Sequence, residues 1–156
     1  MKVRTSTRIN SIKPSSTMEI TKLAKNLSSQ GQNIIALSAG ESSFESPDVA
    51  AKAGMIAIKK GKTRYTQVDG IPLLKHSISD RYKRDYGIGF AEDEIVVTTG
   101  AKHALFNVFN AVLNTGDEVI IHAPYWVSYP DMVTLCGGTP VIVHSEKNGQ
   151  FKLTAQ

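Results

Sequence analysis

The stretch Val96-Val97-Thr98-Thr99-Gly100-Ala101-Lys102-His103-Ala104 constrains this chain more than any other. A short β-branched run, Ile95 to Val97, ends in Thr98-Thr99-Gly100. A helical pattern follows at once, with Leu105, Val108, Phe109 and Val112 spaced i, i+3, i+4 and i+7. A strand that turns over a glycine into a helix aims several free backbone N–H groups, and the positive end of the helix dipole, at one spot. Such a spot suits an anion, most often a phosphate. Many α/β proteins turn the same corner with nothing bound, so the remaining residues must decide between a plain turn and a site.

The segments after this turn continue the alternation. Thr115-Gly116-Asp117 is a tight turn into a second strand, Glu118 to His122, which runs into Ala123-Pro124-Tyr125-Trp126-Val127-Ser128-Tyr129-Pro130. Pro130 opens a helix that stops at Gly137-Gly138, and a third strand, Val141 to His144, follows Pro140. From Ile95 onward the order reads β-α-β-α-β, which means a largely parallel sheet with helices on its faces.

Before the turn the chain reads as helices joined by polar loops. Pro14 holds an extended approach, and Ser16-Thr17-Met18-Glu19 has the form of a capping box. Ile20, Leu23, Ala24 and Leu27 make one apolar stripe, and Gly31 is the stop. Ile34 to Leu37 is a short apolar run leading into the loop Ser38-Ala39-Gly40-Glu41. Ser46-Pro47 reads as an N-cap with a first-turn proline for a second helix, with Val49, Ala53, Ile56 and Ala57 on one face and Gly61 at its end. Gly61 to Thr66 is a polar loop carrying Tyr65. Pro72 starts a third helix, with Leu74, Ile78 and Tyr82 on one face, stopping near Gly87.

Composition excludes several classes. At 156 residues and 41% hydrophobic content the chain can build a core. Basic residues exceed acidic ones by 18 − 14 = 4 and are dispersed, which argues against a nucleic-acid partner. No apolar run has the length of a membrane span. Cys136 is the single cysteine, which fits a reducing compartment and makes the cytoplasm the expected location. His76, His103, His122 and His144 lack metal-ligand spacing, so no metal site is expected. The first eighteen residues carry Lys2, Arg4, Arg8 and Lys13 with no acid, the composition of a transit peptide or of a solvated arm.

Ligands of open α/β sheets sit at the carboxyl ends of strands. Thr98–Lys102, Ala123–Tyr129 and the Gly40 loop are the segments that gather there. Trp126, the one tryptophan, is either a core aromatic or a flat surface on which a planar ring can stack. Read from the residues, the site suits a phosphate-bearing planar cofactor or a nucleotide. Neither G-x-G-x-x-G nor G-x-x-x-x-G-K-[ST] occurs, which counts against a nucleotide-binding module.

Five stretches, Ile12-Lys13-Pro14-Ser15, Leu37-Ser38-Ala39-Gly40-Glu41, Gly61–Thr66, Thr98–His103 and Pro124–Pro130, together resemble the N-terminal part of a class I pyridoxal-phosphate aminotransferase of the bacterial aspartate aminotransferase kind. The last, P-Y-W-V-S-Y-P, is the most specific. The resemblance covers the chain to about Val143. It implies a three-layer α/β/α, fold type I architecture, with an arm, helix and Gly40 loop over residues 1–45 and an incomplete cofactor-binding large domain over 46–156.

It also implies roles. Gly100, Ala101 and Lys102 match the turn whose backbone binds the cofactor phosphate, and Trp126 matches the aromatic that stacks on the pyridine ring. Gly40 matches the glycine whose N–H meets the substrate carboxylate. Tyr65 matches a tyrosine that reaches the cofactor phosphate of the neighbouring subunit, so a homodimer is implied. Lys13 matches an arm position linked to accepting prephenate beside oxaloacetate and 2-oxoglutarate, and it also reads as an ordinary exposed lysine. Since the arm motif begins by Arg8-Ile9-Asn10, the arm is preferred to a transit peptide.

The sequence departs from the family's common G-E-P-D-F-D-T-P, reading G-E-S-S-F-E-S-P, so Ser42 and Ser43 replace proline and aspartate. Ala101 stands where close relatives often carry glycine. The family's cofactor-bound lysine, its aspartate on the pyridine nitrogen and its arginine for the substrate carboxylate all match positions beyond Gln156, so no catalytic residue is assigned within the chain. The expectation is the N-terminal part of an enzyme exchanging an amino group between aspartate and 2-oxoglutarate, inactive alone; the alternative is a non-catalytic remnant of a split or decayed gene. The close at Phe151–Gln156, in mid-pattern, favours truncation over a purpose-built small domain.

Overall fold

The computed structural model describes residues 3–38, 40, 42–145 and 151–153. Ala39 and Glu41 of the Gly40 loop, and Thr154 to Gln156, lie outside the described residues. The chain divides into two compact units, one of residues 13–65 and one of residues 1–12 with 66–156.

The 13–65 unit carries two helices. Helix α2 spans Ser16–Ser29 and α3 spans Asp48–Lys59. The N-cap of α2 is Ser15, one residue before the expected position, with its hydroxyl accepting from Met18 N at 3.4 Å. The α3 N-cap is Pro47, not Ser46; its carbonyl accepts from Ala50 N and Ala51 N, and no side chain caps the helix. Thr21 Oγ1 bonds Ser38 Oγ at 2.9 Å and ties α2 to the segment before Gly40. The apolar run Ile34–Leu37 forms no strand, and Ile35 and Leu37 are exposed. No residue of α2 or α3 is buried, so their apolar stripes lie open.

The other unit begins with α1, Thr7–Asn10, capped by Ser6 and unforeseen in the sequence. Arg8 Nη1 donates to the carbonyl of Leu135 at 3.5 Å. Helix α4, Pro72–Tyr86, starts on its proline and stops at Gly87, whose φ of 73° is the left-handed conformation that closes a helix. Tyr82 packs edge-on against Phe90, with centroids 5.4 Å apart. Ser79 Oγ accepts from Phe90 N and donates to Phe90 O, fastening the following loop to α4.

A single 3-10 turn at Glu92–Glu94 leads into Ile95–Thr98, and here the expectation fails. Ile95 is extended, with φ −118° and ψ 125°, but residues 95–98 belong to no sheet among the described residues. β-Branched side chains favour the extended backbone, whereas a strand also needs a neighbour at hydrogen-bonding distance. Among the described residues, the backbone bond that holds the segment sideways runs from Val97 N to Asp69 O, 2.8 Å.

Helix α5, Ala101–Val112, follows Gly100. Strand β1, Glu118–Ala123, helix α6, Tyr129–Leu135, and strand β2, Thr139–His144, complete a β-α-β unit in which the strands pair in parallel, Glu118 opposite Thr139 through Ala123 opposite His144. The observed order after the turn is therefore α-β-α-β. Among the described residues, Ile95, Ile121, Met132 and Val133 are the buried apolar ones, and Val133 is wholly enclosed. Gly138 lets the α6–β2 corner close: a Cβ there would lie 3.0 Å from Leu113 Cδ1 and 3.1 Å from Val133 Cγ1.

Candidate functional site

Gly100 sits at the N-cap of α5 with φ 87° and ψ 169°. That combination is open essentially to glycine alone, because a Cβ collides with its own backbone there. The turn is bound from within. Gly100 N donates to Thr98 O at 2.8 Å, Thr98 Oγ1 donates to Gly100 O at 3.1 Å, and Ala104 N reaches Gly100 O at 3.3 Å. The N–H groups of Ala101, Lys102 and His103 keep no acceptor among the described residues, as expected of a first helical turn. No acidic side chain occupies that turn. Free donors at the positive end of a helix, with no competing carboxylate, are the arrangement that suits an anion.

His103 acts on the turn from the helix side. Its Nδ1 accepts from Thr99 N at 3.3 Å and lies 2.9 Å from Thr99 Oγ1. With Nδ1 accepting, the neutral ring carries its proton on Nε2. The sequence reading found no metal spacing for His103 and missed this clip, although its signal, the i, i+4 spacing of Thr99 and His103, is that of side chains one helical turn apart.

Trp126 follows β1 by three residues, after the cis Ala123-Pro124 bond, and is 54% exposed. Of its two readings, a core aromatic and an open surface for stacking, the exposure sets aside the core aromatic. Lys102 Nζ lies 5.5 Å from its ring centroid, within cation–π range. Thr99, Gly100, Ala101, Lys102, Trp126 and Tyr129 line one open cleft of about 370 Å³. Four of the seven residues singled out from sequence, Gly100, Ala101, Lys102 and Trp126, thus share one cleft. Tyr129 is an addition.

The cleft fits a pyridoxal phosphate: unpaired N–H donors and an ammonium for the phosphate, and an exposed indole face for the ring. A second, apolar groove of about 580 Å³ runs beside it between α5 and β1, reaching from Phe109 to Trp126. His122 Nε2 is buried there without a partner among the described residues.

Lys13, Gly40 and Tyr65 belong to the other unit, where each is exposed. Gly40 has open space where a Cβ would stand. Where the family carries proline, Ser42 Oγ accepts from Phe44 N at 3.1 Å, so a local hydrogen bond shapes the loop. Burial pushes the Cys136 thiol up, only partly offset by Arg8, which leaves it a poor nucleophile. Among the described residues, no cluster of histidine, cysteine or carboxylates could hold a metal ion. No helix among them is long and apolar enough to cross a membrane.

Comparison with known proteins gives one answer. The family model for aminotransferases of class I and II matches residues 32–156. The probable aspartate/prephenate aminotransferase of Rickettsia typhi is 52% identical over 151 residues, 97% of this chain and 38% of the relative. The aspartate/prephenate aminotransferase of Cereibacter sphaeroides is 48% identical over 145 residues, 93% of this chain and 36% of the relative. Among solved structures, the aspartate aminotransferase of Rhizobium meliloti superposes with a TM-score of 0.92 at 41% identity, over 98% of this chain and 38% of that one. That of Thermus thermophilus with maleate gives 0.92 at 39% identity, over 98% and 40%. The chain spans well under half the length of the proteins it matches, and its fold is that of their N-terminal portion.

Proposed function

The chain belongs to the aminotransferases of class I and II, and from that premise we propose that it forms the phosphate- and ring-binding part of an aspartate aminotransferase using pyridoxal 5'-phosphate. The reaction is transfer of the amino group of aspartate to 2-oxoglutarate, giving oxaloacetate and glutamate, with prephenate as a further acceptor. The observation that carries the reading is the cleft in which the free N–H groups of the α5 turn face the same space as exposed Trp126.

In this reading the free N–H groups of Ala101 and Lys102, both lining the cleft, bind the phosphate dianion, with the Lys102 charge adding attraction at close range; the third expected donor, Gly100 N, is instead spent on Thr98 O and shapes the turn. Trp126 orients the ring by stacking on it and covers one face against water. When bound, the cofactor supplies the electron sink that labilises bonds at the substrate α-carbon. The N–H of Gly40 receives the substrate carboxylate, and Lys13 offers a cation to a second carboxylate. Tyr65 reaches the phosphate held by a second copy, so the working form is a homodimer. The single cysteine supports a cytoplasmic, reducing setting.

Hydrogen exchange tests the site directly. Inorganic phosphate, and separately pyridoxal phosphate, should slow exchange at the amides of residues 100–103. Unchanged exchange with both removes the cofactor reading of this turn. Because the family's covalent lysine matches a position beyond Gln156, the 156-residue chain with pyridoxal phosphate should transaminate aspartate no faster than the free cofactor does, followed by oxaloacetate formation.

A further inference from the structure

Lys75 is the one buried charged side chain among the described residues, 3% exposed, and nothing in the proposed chemistry uses it. It rises from the first turn of α4 and is ion-paired with Asp69 Oδ2, whose side chain is 46% exposed. The Lys75 ammonium holds the Asp69 carboxyl below its usual range. The buried end of Lys75 finds its compensating partner in that carboxylate, and the contact ties Asp69 to the start of α4.

That backbone is what grips the segment entering the anion turn. The Asp69 carbonyl accepts from Val97 N at 2.8 Å. The next residue, Gly70, has φ 115°, and the place its Cβ would take is filled by Val97: Cγ2 would stand 2.6 Å away and Cβ 2.9 Å away. Lys75 Cγ lies 3.7 Å from the same point. Residues 95–98 have no ladder partner among the described residues, so the Asp69 carbonyl and the Gly70 notch together set where Val97 sits. Gly100 follows three residues later.

We infer that the buried Lys75–Asp69 pair, acting through the Asp69 carbonyl and the Gly70 notch, is a positioning device that holds Val97 and thereby the donors of the Gly100 turn in register for a phosphate. The inference deepens the phosphate reading of that turn and rests on it for its ligand. Lys75 and Asp69 are positioning residues here, since neither lines the cleft.

The test compares the wild-type chain with Lys75→Met, Lys75→Arg, Asp69→Asn and, as a control, Val133→Ala, which loosens the core between α6 and the Gly138 corner without touching Lys75, Asp69 or Gly70. Amide exchange in the ligand-free chain should quicken at residues 97–100 in Lys75→Met and Asp69→Asn, and return towards wild type in Lys75→Arg. Loss of a charged hydrogen bond should raise the Kd for inorganic phosphate about tenfold in the first two variants. The control should lose stability with phosphate affinity kept. If Asp69→Asn, in which the carbonyl and side-chain shape persist, exchanges at 97–100 as the wild type does, the positioning role is overturned. The same holds if Val133→Ala loosens 97–100 equally. A wild-type chain that binds no phosphate would instead sink the anion reading, and the ligand-free exchange would still decide the positioning role.

Discussion

Gly100 concentrates the demands of the site in one residue. Its φ of 87° with ψ 169° is a conformation that an alanine reaches only under strain, although open space surrounds it. Gly100→Ala should therefore cost about 1–3 kcal/mol through the backbone alone. Phosphate affinity should fall with it, because relief of the strain swings the Ala101 and Lys102 N–H groups out of line. Urea unfolding and phosphate titration on the same preparation check both. This glycine was legible before any coordinates, as were Lys102 and Trp126, since a turn between two patterned segments and a lone tryptophan between prolines are local signals. Asp69, Gly70 and Lys75 were not. Their importance lies in a contact with Val97 more than twenty residues away, and Asp-Gly before a helix reads as an ordinary loop.

At the scale of elements, the starts and stops of α2, α3, α4 and α6 were readable to within a residue, whereas α1 went unseen. The cap of α2 was expected at Ser16, and the structure moves it to the adjacent Ser15. Ser15→Ala should lower stability by about 1 kcal/mol, seen as a small fall in the urea midpoint. Helix α4 ends with Asp85 placed where the helix dipole disfavours an acid, and Arg84 and then Arg81 hold its carboxyl below the ordinary range. A depressed folded-state pKa adds stability above the unfolded value and loses it as pH falls through the folded one. The melting temperature should thus decline on acidification below about pH 5, and Asp85→Asn should flatten that decline. The strand expected at Glu94–Thr98 marks the limit of pattern reading: side chains announce extended backbone, while pairing depends on a neighbour that no local pattern names.

Across the whole molecule much apolar surface lies open in both units: Phe44, Leu37, Val68 and Val49 are each more than four-fifths exposed, and the groove between α5 and β1 is lined by apolar side chains. The isolated chain should consequently bind a hydrophobic dye strongly at neutral pH, and a dye fluorescence no higher than that of a compact globular control would contradict this. Fold class was readable at this scale because alternating elements imply parallel pairing. The amount of uncovered surface was not, since amphipathic stripes announce burial without saying what covers them.

The grip on Val97 has a consequence in time. A ribosome releases Asp69, Gly70 and Lys75 before it makes Val97, and Val97 before Gly100. The scaffold residues thus precede the phosphate donors, and both precede Trp126, in the order of synthesis. The support for the turn is available before the turn itself is made, and the stacking surface comes after both.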